Sequence, residues 1–325
     1  MRYLTLAVTL FSNLCFAVSV QAGSVVDRIK ARGYVRCAAA VRPGLAYTDR
    51  SGRWHGLEVD ICRGVATAVV GSQDRISFSQ YDTPKQYEAA GNGTDDLYFL
   101  TAMEIVNNGL VGKVLPGPTV FVESDRVLVP DAALVRHVAD LAGDSICFMI
   151  ASSSEHSLNT YFDGLHKSFD RRPFSEDGEM NDSYNSQHCH SVAGEITTLA
   201  VTRLSRQNPH MGGRILPEPL TVFPIIAATG TQDGQWSALV AWTIHTLISA
   251  ERPETKWYAG GVRAMPIEAP ELGLDKNWQE RVVKAAGNYG DIFERNLGKR
   301  SPLKLKRGFN ANQINGGLLL SLFIE

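Results

Sequence analysis

The chain has 325 residues, 44% of them hydrophobic, with 32 basic and 34 acidic side chains and a formal net charge of −2. Such a balance excludes the strongly basic footprint of a nucleic-acid binder, and the length and apolar content are ample for two lobes of ordinary domain size. No internal repeat or low-complexity tract is visible.

At the N-terminus, Arg2 precedes an uncharged, largely apolar run from Leu4 to Val20, and Val20-Gln21-Ala22 supplies the residues that a signal peptidase reads. Residues 1–22 are therefore expected to be a cleavable export signal, leaving a mature chain from about Gly23 with a net charge of about −3. Cys15 lacks the small residues that precede a lipoprotein cysteine, so no lipid anchor is expected. No later segment approaches the apolar length that a bilayer requires.

Beyond the signal, strands and helices alternate. Tyr34–Ala39 is β-like, and Val59–Val70 has helical apolar spacing after the turn residues Ser51-Gly52. Ile76–Phe78 is again β-like, and Pro84–Ala90 reads as a helix stopped by Gly91. A second set starts with a strand at Ser145–Ile150, followed by a helix from about Ser154 to Leu165 and another from Glu195 to Arg206. Strong helical patterns return at Trp236–Ser249 and Trp278–Asn296. Strands separated by helices predict parallel α/β packing. The basic cluster Lys299-Arg300 to Lys304-Leu-Lys-Arg307, broken by Ser301-Pro302, reads as a solvated face.

Without the signal, four cysteines remain: Cys37, Cys62, Cys147 and Cys189. An even number in an exported chain is the arithmetic of a disulfide framework, and four cysteines allow three pairings. His188-Cys189-His190 holds good metal ligands, but adjacent residues rarely converge on one ion and no second cluster completes a tetrahedral shell; no metal or cofactor is expected. Gly143-Asp-Ser145 has the look of a hydrolase nucleophile block, yet no base-and-acid set accompanies it, so catalysis is not expected.

The last fifth of the chain is the most specific. Leu272-Gly-Leu-Asp-Lys-Asn-Trp278 leads into Val283-Lys-Ala-Ala-Gly-Asn-Tyr-Gly-Asp-Ile-Phe-Glu-Arg-Asn-Leu297 and Ser301-Pro-Leu-Lys-Leu-Lys-Arg-Gly308. This run, with Gly33–Cys37 and Gly52–Gly71, resembles the periplasmic substrate-binding proteins of polar amino-acid ABC transporters, in particular the general L-amino-acid-binding subfamily (solute-binding protein family 3). The resemblance extends to about residue 317 and weakens through the middle.

The resemblance implies an α/β periplasmic binding protein of type II, two lobes joined by two hinge strands that close over a ligand. It places the crossings near Val127–Pro130 and Leu220–Pro224, so residues 23–128 plus 224–325 form a discontinuous lobe 1 and residues 129–223 form lobe 2. It pairs Cys37 with Cys62 and Cys147 with Cys189. It also implies a secreted, periplasmic, monomeric solute-binding component of an ABC importer, with a small polar ligand (amino acid or amino-acid-like, including cationic ones) and an inner-membrane ABC permease as partners.

In such relatives an arginine and a Thr-rich turn hold the ligand α-carboxylate, and an acidic residue holds its ammonium. Here the Thr-rich turn falls on Ala102-Met103-Glu104-Ile105 and the arginine on Asn108, which supplies no charge. Ala151-Ser152-Ser153-Ser154-Glu155 matches a Gly-Thr-Thr-Thr-Glu element, with hydroxyls kept and the glycine changed; Ser152 with Glu155 also fits a helix capping box. Glu195 stands at the place of the ammonium-binding aspartate, and Tyr47 is the candidate aromatic wall, with Tyr81 a further possibility that ordinary packing also explains.

The implied ligand residues are thus Tyr47, Glu104, Asn108, Ser152, Ser153, Ser154 and Glu195. With the arginine absent, glutamate, aspartate, glutamine and neutral L-amino acids are expected to bind weakly unless another cation, Arg42 first among them, replaces it. With Glu104 and Glu195 facing the cleft, cationic ligands are expected to outrank acidic ones. The alternative is a scaffold repurposed as a periplasmic interaction or sensor protein without amino-acid binding.

Overall fold

The computed structural model describes residues 25–204, 213–252 and 270–321. The expected signal peptide and the C-terminal end of the expected Glu195–Arg206 helix lie outside them.

In chain order, helix α1 (Val25–Arg32) precedes strand β1 (Val35–Ala39), a small ribbon of β2 (Tyr47–Thr48) and β3 (Trp54–His55), and α2 (Leu57–Val70). Next come β4 (Ile76–Gln80), α3 (Pro84–Gly91), β5 (Leu97–Thr101), α4 (Ala102–Asn107) and the long β6 (Val114–Pro130). The middle of the chain forms β7 (Ser145–Met149), α5 (Ser153–Gly164), β8 (Asp170–Phe174), α6 (Asp177–Asn185), β9 (Ser191–Glu195) and α7 (Ile196–Leu204). It returns through β10 (Gly213–Ile215) and β11 (Thr221–Gly230) to α8 (Gly234–Ser249), α9 (Trp278–Ala286) and α10 (Tyr289–Asn296).

One sheet runs in the order β4-β1-β5-β11-β6-β9-β7-β8, with β10 also on β6. Its two flanks are parallel: β1 pairs β4 and β5, and β7 pairs β8 and β9. The flanks meet through the antiparallel pair β6–β11, which runs from Val114↔Gly230 to Asp125↔Thr221 with register shifts on either side of Ile226. The alternation of strands and helices predicted the parallel α/β flanks, and the junction of the two halves by two long strands is what the family resemblance implied. Each half has its own apolar core: one around Leu57, Val65, Trp236, Trp278 and Phe293, the other around Val127, Ile146, Phe148, Leu158 and Phe162.

The structure joins Cys37 to Cys62, tying β1 to α2, and Cys147 to Cys189 beside β7. Cys189 is thereby unavailable as a metal ligand, and the helix patterned over Trp278–Asn296 is two helices. Gly287 adopts φ +80°, and Asn288 caps α10 by accepting from Asp291 N at 2.9 Å while Asp291 accepts from Asn288 N. Apolar spacing continues across this break because both helices bury their faces against the same core, so periodicity alone did not reveal it.

Candidate ligand-binding site

After β1 the chain makes a tight turn in which Arg42 N donates to Ala46 O (2.9 Å) and Leu45 N to Arg42 O (3.1 Å). The turn is fastened to the start of α2, where Leu57 N donates to Gly44 O and Glu58 N to Leu45 O, both at 3.0 Å. Gly56 permits this approach: it has φ +128°, and a Cβ there would lie 2.0 Å from Leu45 O. The consequence is a buried Arg42 whose Nη2 donates to Glu104 Oε1 at 2.7 Å.

Glu104 is engaged on both oxygens. Oε1 also accepts from Tyr87 OH at 2.7 Å, and Oε2 accepts from Thr101 N at 2.6 Å in the capping box of α4. Asn108 ends that helix, its Nδ2 donating to Glu104 O at 2.8 Å. Burial works against the charge of Arg42, but Glu104, Glu58 and Glu195 together hold its pKa above the ordinary arginine value. Its Nη1 is buried and has no hydrogen-bond partner among the described residues.

More carboxylates surround this clamp. Both oxygens of Glu58 are buried and unpartnered, and desolvation pushes its pKa up to about 8 despite nearby Arg42. On β6, alternation puts Glu123 and Asp125 on one face. Glu123 accepts from Thr197 Oγ1 (2.7 Å), Ser124 N (2.8 Å) and Ile196 N (3.1 Å); burial, then the neighbouring Glu195, pushes it up to about 8. Asp125 accepts from Ser153 Oγ (3.0 Å) and Ser157 Oγ (3.2 Å), and its pKa is raised by burial.

Glu195 ends β9 directly opposite Asp125. It makes no hydrogen bond or ion pair among the described residues. Burial raises its pKa, Arg42 opposes the rise, and Asp125 and Glu104 add to it. Arg42 and Glu104 cancel, and burial favours the protonated forms of Glu58 and Glu123; Asp125 and Glu195, whose pKa values burial also raises, stand beside them as an adjacent pair of carboxyl groups with no cation paired to either among the described residues. Such a pair is suited to an ammonium or guanidinium, and a rearranged Arg42 Nη1 to a carboxylate.

The other expected residues occupy distinct places. Ser152 is the N-cap of α5, accepting from Glu155 N at 3.2 Å and donating to Met149 O at 2.6 Å. The reciprocal half of the capping box goes elsewhere: Glu155 accepts from Ala151 N at 2.8 Å, and Ala151 holds φ +53° where the family's glycine would sit. Ser153 is exposed beside Asp125, whereas Ser154 is buried with its hydroxyl 2.8 Å from that of Ser152. Tyr47 lies in the β2–β3 ribbon, its ring 5.9 Å from that of His55. Tyr81 is buried and donates to Asp95 at 2.6 Å.

Sequence reasoning missed Glu58, Tyr87, Glu123, Asp125 and Ser157. A signal existed for two of them: Glu123 and Asp125 alternate with Ser124 and Arg126 inside an otherwise β-like run, and charges at i and i+2 of a strand share a face. Tyr87 and Glu58 carry no local mark, since tertiary packing alone brings them to Arg42.

No family model matches the chain. It is 29% identical over 324 aligned residues to the general L-amino acid-binding periplasmic protein AapJ of Rhizobium johnstonii, covering 94% of each chain. It is 28% identical to the putative amino-acid ABC transporter-binding protein YhdW of Escherichia coli K12, covering 98% of each. Among solved structures it matches an ABC transporter periplasmic binding protein from Brucella ovis with glutathione bound, at 27% identity and a TM-score of 0.74, over 92% of this chain and 98% of that one.

Proposed function

We propose, on the premise that this chain is a homologue of the periplasmic binding proteins of amino-acid ABC transporters, that it is the exported solute-binding component of such an importer. Residues 1–22 direct export and are removed, and the mature monomer delivers its ligand to an inner-membrane permease without catalysing a reaction. Residues 23–128 with 224–325 act as one lobe and residues 129–223 as the other, swinging about β6 and β11. A ligand that binds the closed form better shifts the balance toward it by that difference in affinity.

The ligand is amino-acid-like and carries a cationic group. The observation that carries this reading is the acidic pair Asp125 and Glu195, adjacent across β6–β9, beside an arginine whose charge is already met by Glu104. Glu195 takes the ammonium or guanidinium, and Ser153 supports it through Asp125. Arg42 takes the place of the family's arginine, absent at Asn108, and reaches a ligand carboxylate through Nη1.

Calorimetry of the mature protein against arginine, ornithine, agmatine, glutathione and glutamate tests this. Arginine or ornithine should bind at least tenfold more tightly than glutamate, about 1.4 kcal/mol. Glutamate outranking every cationic ligand would refute the charge assignment, and a complete absence of binding would favour the interaction-protein reading.

A further inference from the structure

Strand β6 presents two faces of opposite charge. Glu123 and Asp125 point to the carboxylate cluster, whereas Ser124 and Arg126, one residue out of phase, point to the reverse side, where Arg126 Nε donates to Ser124 Oγ at 2.9 Å. On that side lies a cavity of about 800 Å³. Its charged lining, among the described residues, is entirely cationic: Arg126, Arg203, Arg214, Lys304, Lys306 and Arg307. Leu216, Leu305 and Phe309 give it an apolar wall, with the Arg126 guanidinium 5.8 Å from the Phe309 ring centre.

Three of these guanidiniums are fixed by backbone carbonyls and neutralised by no carboxylate among the described residues. Arg126 donates to the carbonyls of Leu216 and Pro217, Arg203 to that of Leu303, and Arg214 to those of Ala133 and Val135. Carbonyls orient a guanidinium but cancel no charge. Burial lowers the pKa of Arg126 and of Arg203, outweighing the opposing charge of Glu123 on the one and of Asp131 on the other, neither of which is in ion-pair contact. Arg307, by contrast, is paired with both oxygens of Glu251. Of the basic cluster, Lys299, Arg300, Lys304 and Lys306 are exposed, as a solvated face requires, and Lys304, Lys306 and Arg307 also line one wall of this concave site.

We propose that this cavity is a second binding site, for a small organic anion bearing two or more carboxylate or phosphoryl groups on an apolar or aromatic body. Its volume is that of a small-molecule site, and its cations come from four separate stretches of chain around one space. The ligand neutralises Arg126, Arg203 and Arg214 while its body packs on Phe309. Opposite charge on the two faces of β6 separates this ligand from the cationic one proposed for the cleft.

Calorimetry of the mature protein with citrate, pyrophosphate and phenyl phosphate, each against KCl of equal ionic strength, provides the test. At least one probe should bind, and Lys306→Glu and Arg203→Gln should each weaken it at least tenfold while leaving arginine binding in the cleft unchanged. Lys306 is exposed and makes no hydrogen bond among the described residues, so its variant retains the test if Arg203→Gln does not fold. Binding of no probe beyond the KCl control would overturn the proposal. So would binding that survives Lys306→Glu, or that excess arginine competes away, which would place the anion in the cleft.

Discussion

Asp125 and Glu195 stand in register across the β6–β9 pair, two carboxylates at a position where like charges repel. Asp125 is relieved by the hydroxyls of Ser153 and Ser157; Glu195 has no such partner. Burial raises the pKa of Glu195, Arg42 opposes the rise and Asp125 adds to it; under the proposed function a ligand cation relieves this cost.

Glu195→Gln removes that repulsion while keeping the shape of the side chain. The apo protein should gain about 0.2–1 kcal/mol in urea unfolding. Binding of arginine or ornithine should fall at least tenfold by calorimetry. A variant with unchanged affinity would remove Glu195 from the site.

Arg42 is tied to Glu104 in a largely buried pair, so Arg42→Met strands a carboxylate beside buried Glu58. The expected cost is about 3–5 kcal/mol. Adding Glu104→Gln should recover part of it, because the stranded charge is then gone. Denaturant curves for the two single variants and the double variant give the coupling directly.

Glu58 and Glu123 hold protons more tightly in the folded protein, at about 8, than at the usual 4.5 of an unfolded chain. Their stabilising protonation is complete below about 4.5 and is lost as the pH rises through about 8. Stability should therefore fall across that window, by up to ~1.4 kcal/mol per pH unit for each group. Glu58→Gln should flatten the slope by one group's share when unfolding is measured from pH 5 to 8.5.

Ala151 holds φ +53°, a left-handed conformation that costs a side-chain-bearing residue about 1–2 kcal/mol. Ala151→Gly should raise stability by about 0.5–1 kcal/mol, the relieved strain being partly offset by greater freedom of the unfolded chain. Unchanged or reduced stability would mean that the turn before α5 carries no such strain.

Opening either disulfide frees a loop of 25 or 42 residues. Paired Cys→Ser variants should each cost about 3–4 kcal/mol on the chain-entropy estimate. Thermal unfolding of Cys147→Ser with Cys189→Ser, against the parent protein, measures the larger loop.

The sequence by itself determined the alternation of strands and helices, because β1, α2, β4, α3, β7, α5 and α8 each show their period and their stop signals locally. Through its C-terminal run it also carried the kinship, and with that the disulfide pairing. Tertiary structure decided what no local pattern holds. The break at Gly287 is hidden because both flanking helices bury apolar faces in one core. Only the β6–β9 pairing brings Glu123 and Asp125 beside Glu195, and only the turn after β1, pressed against Gly56, aims Arg42 at Glu104. Charges far apart in sequence acquire shifted proton affinities through shared burial, and burial is a property of the assembled fold.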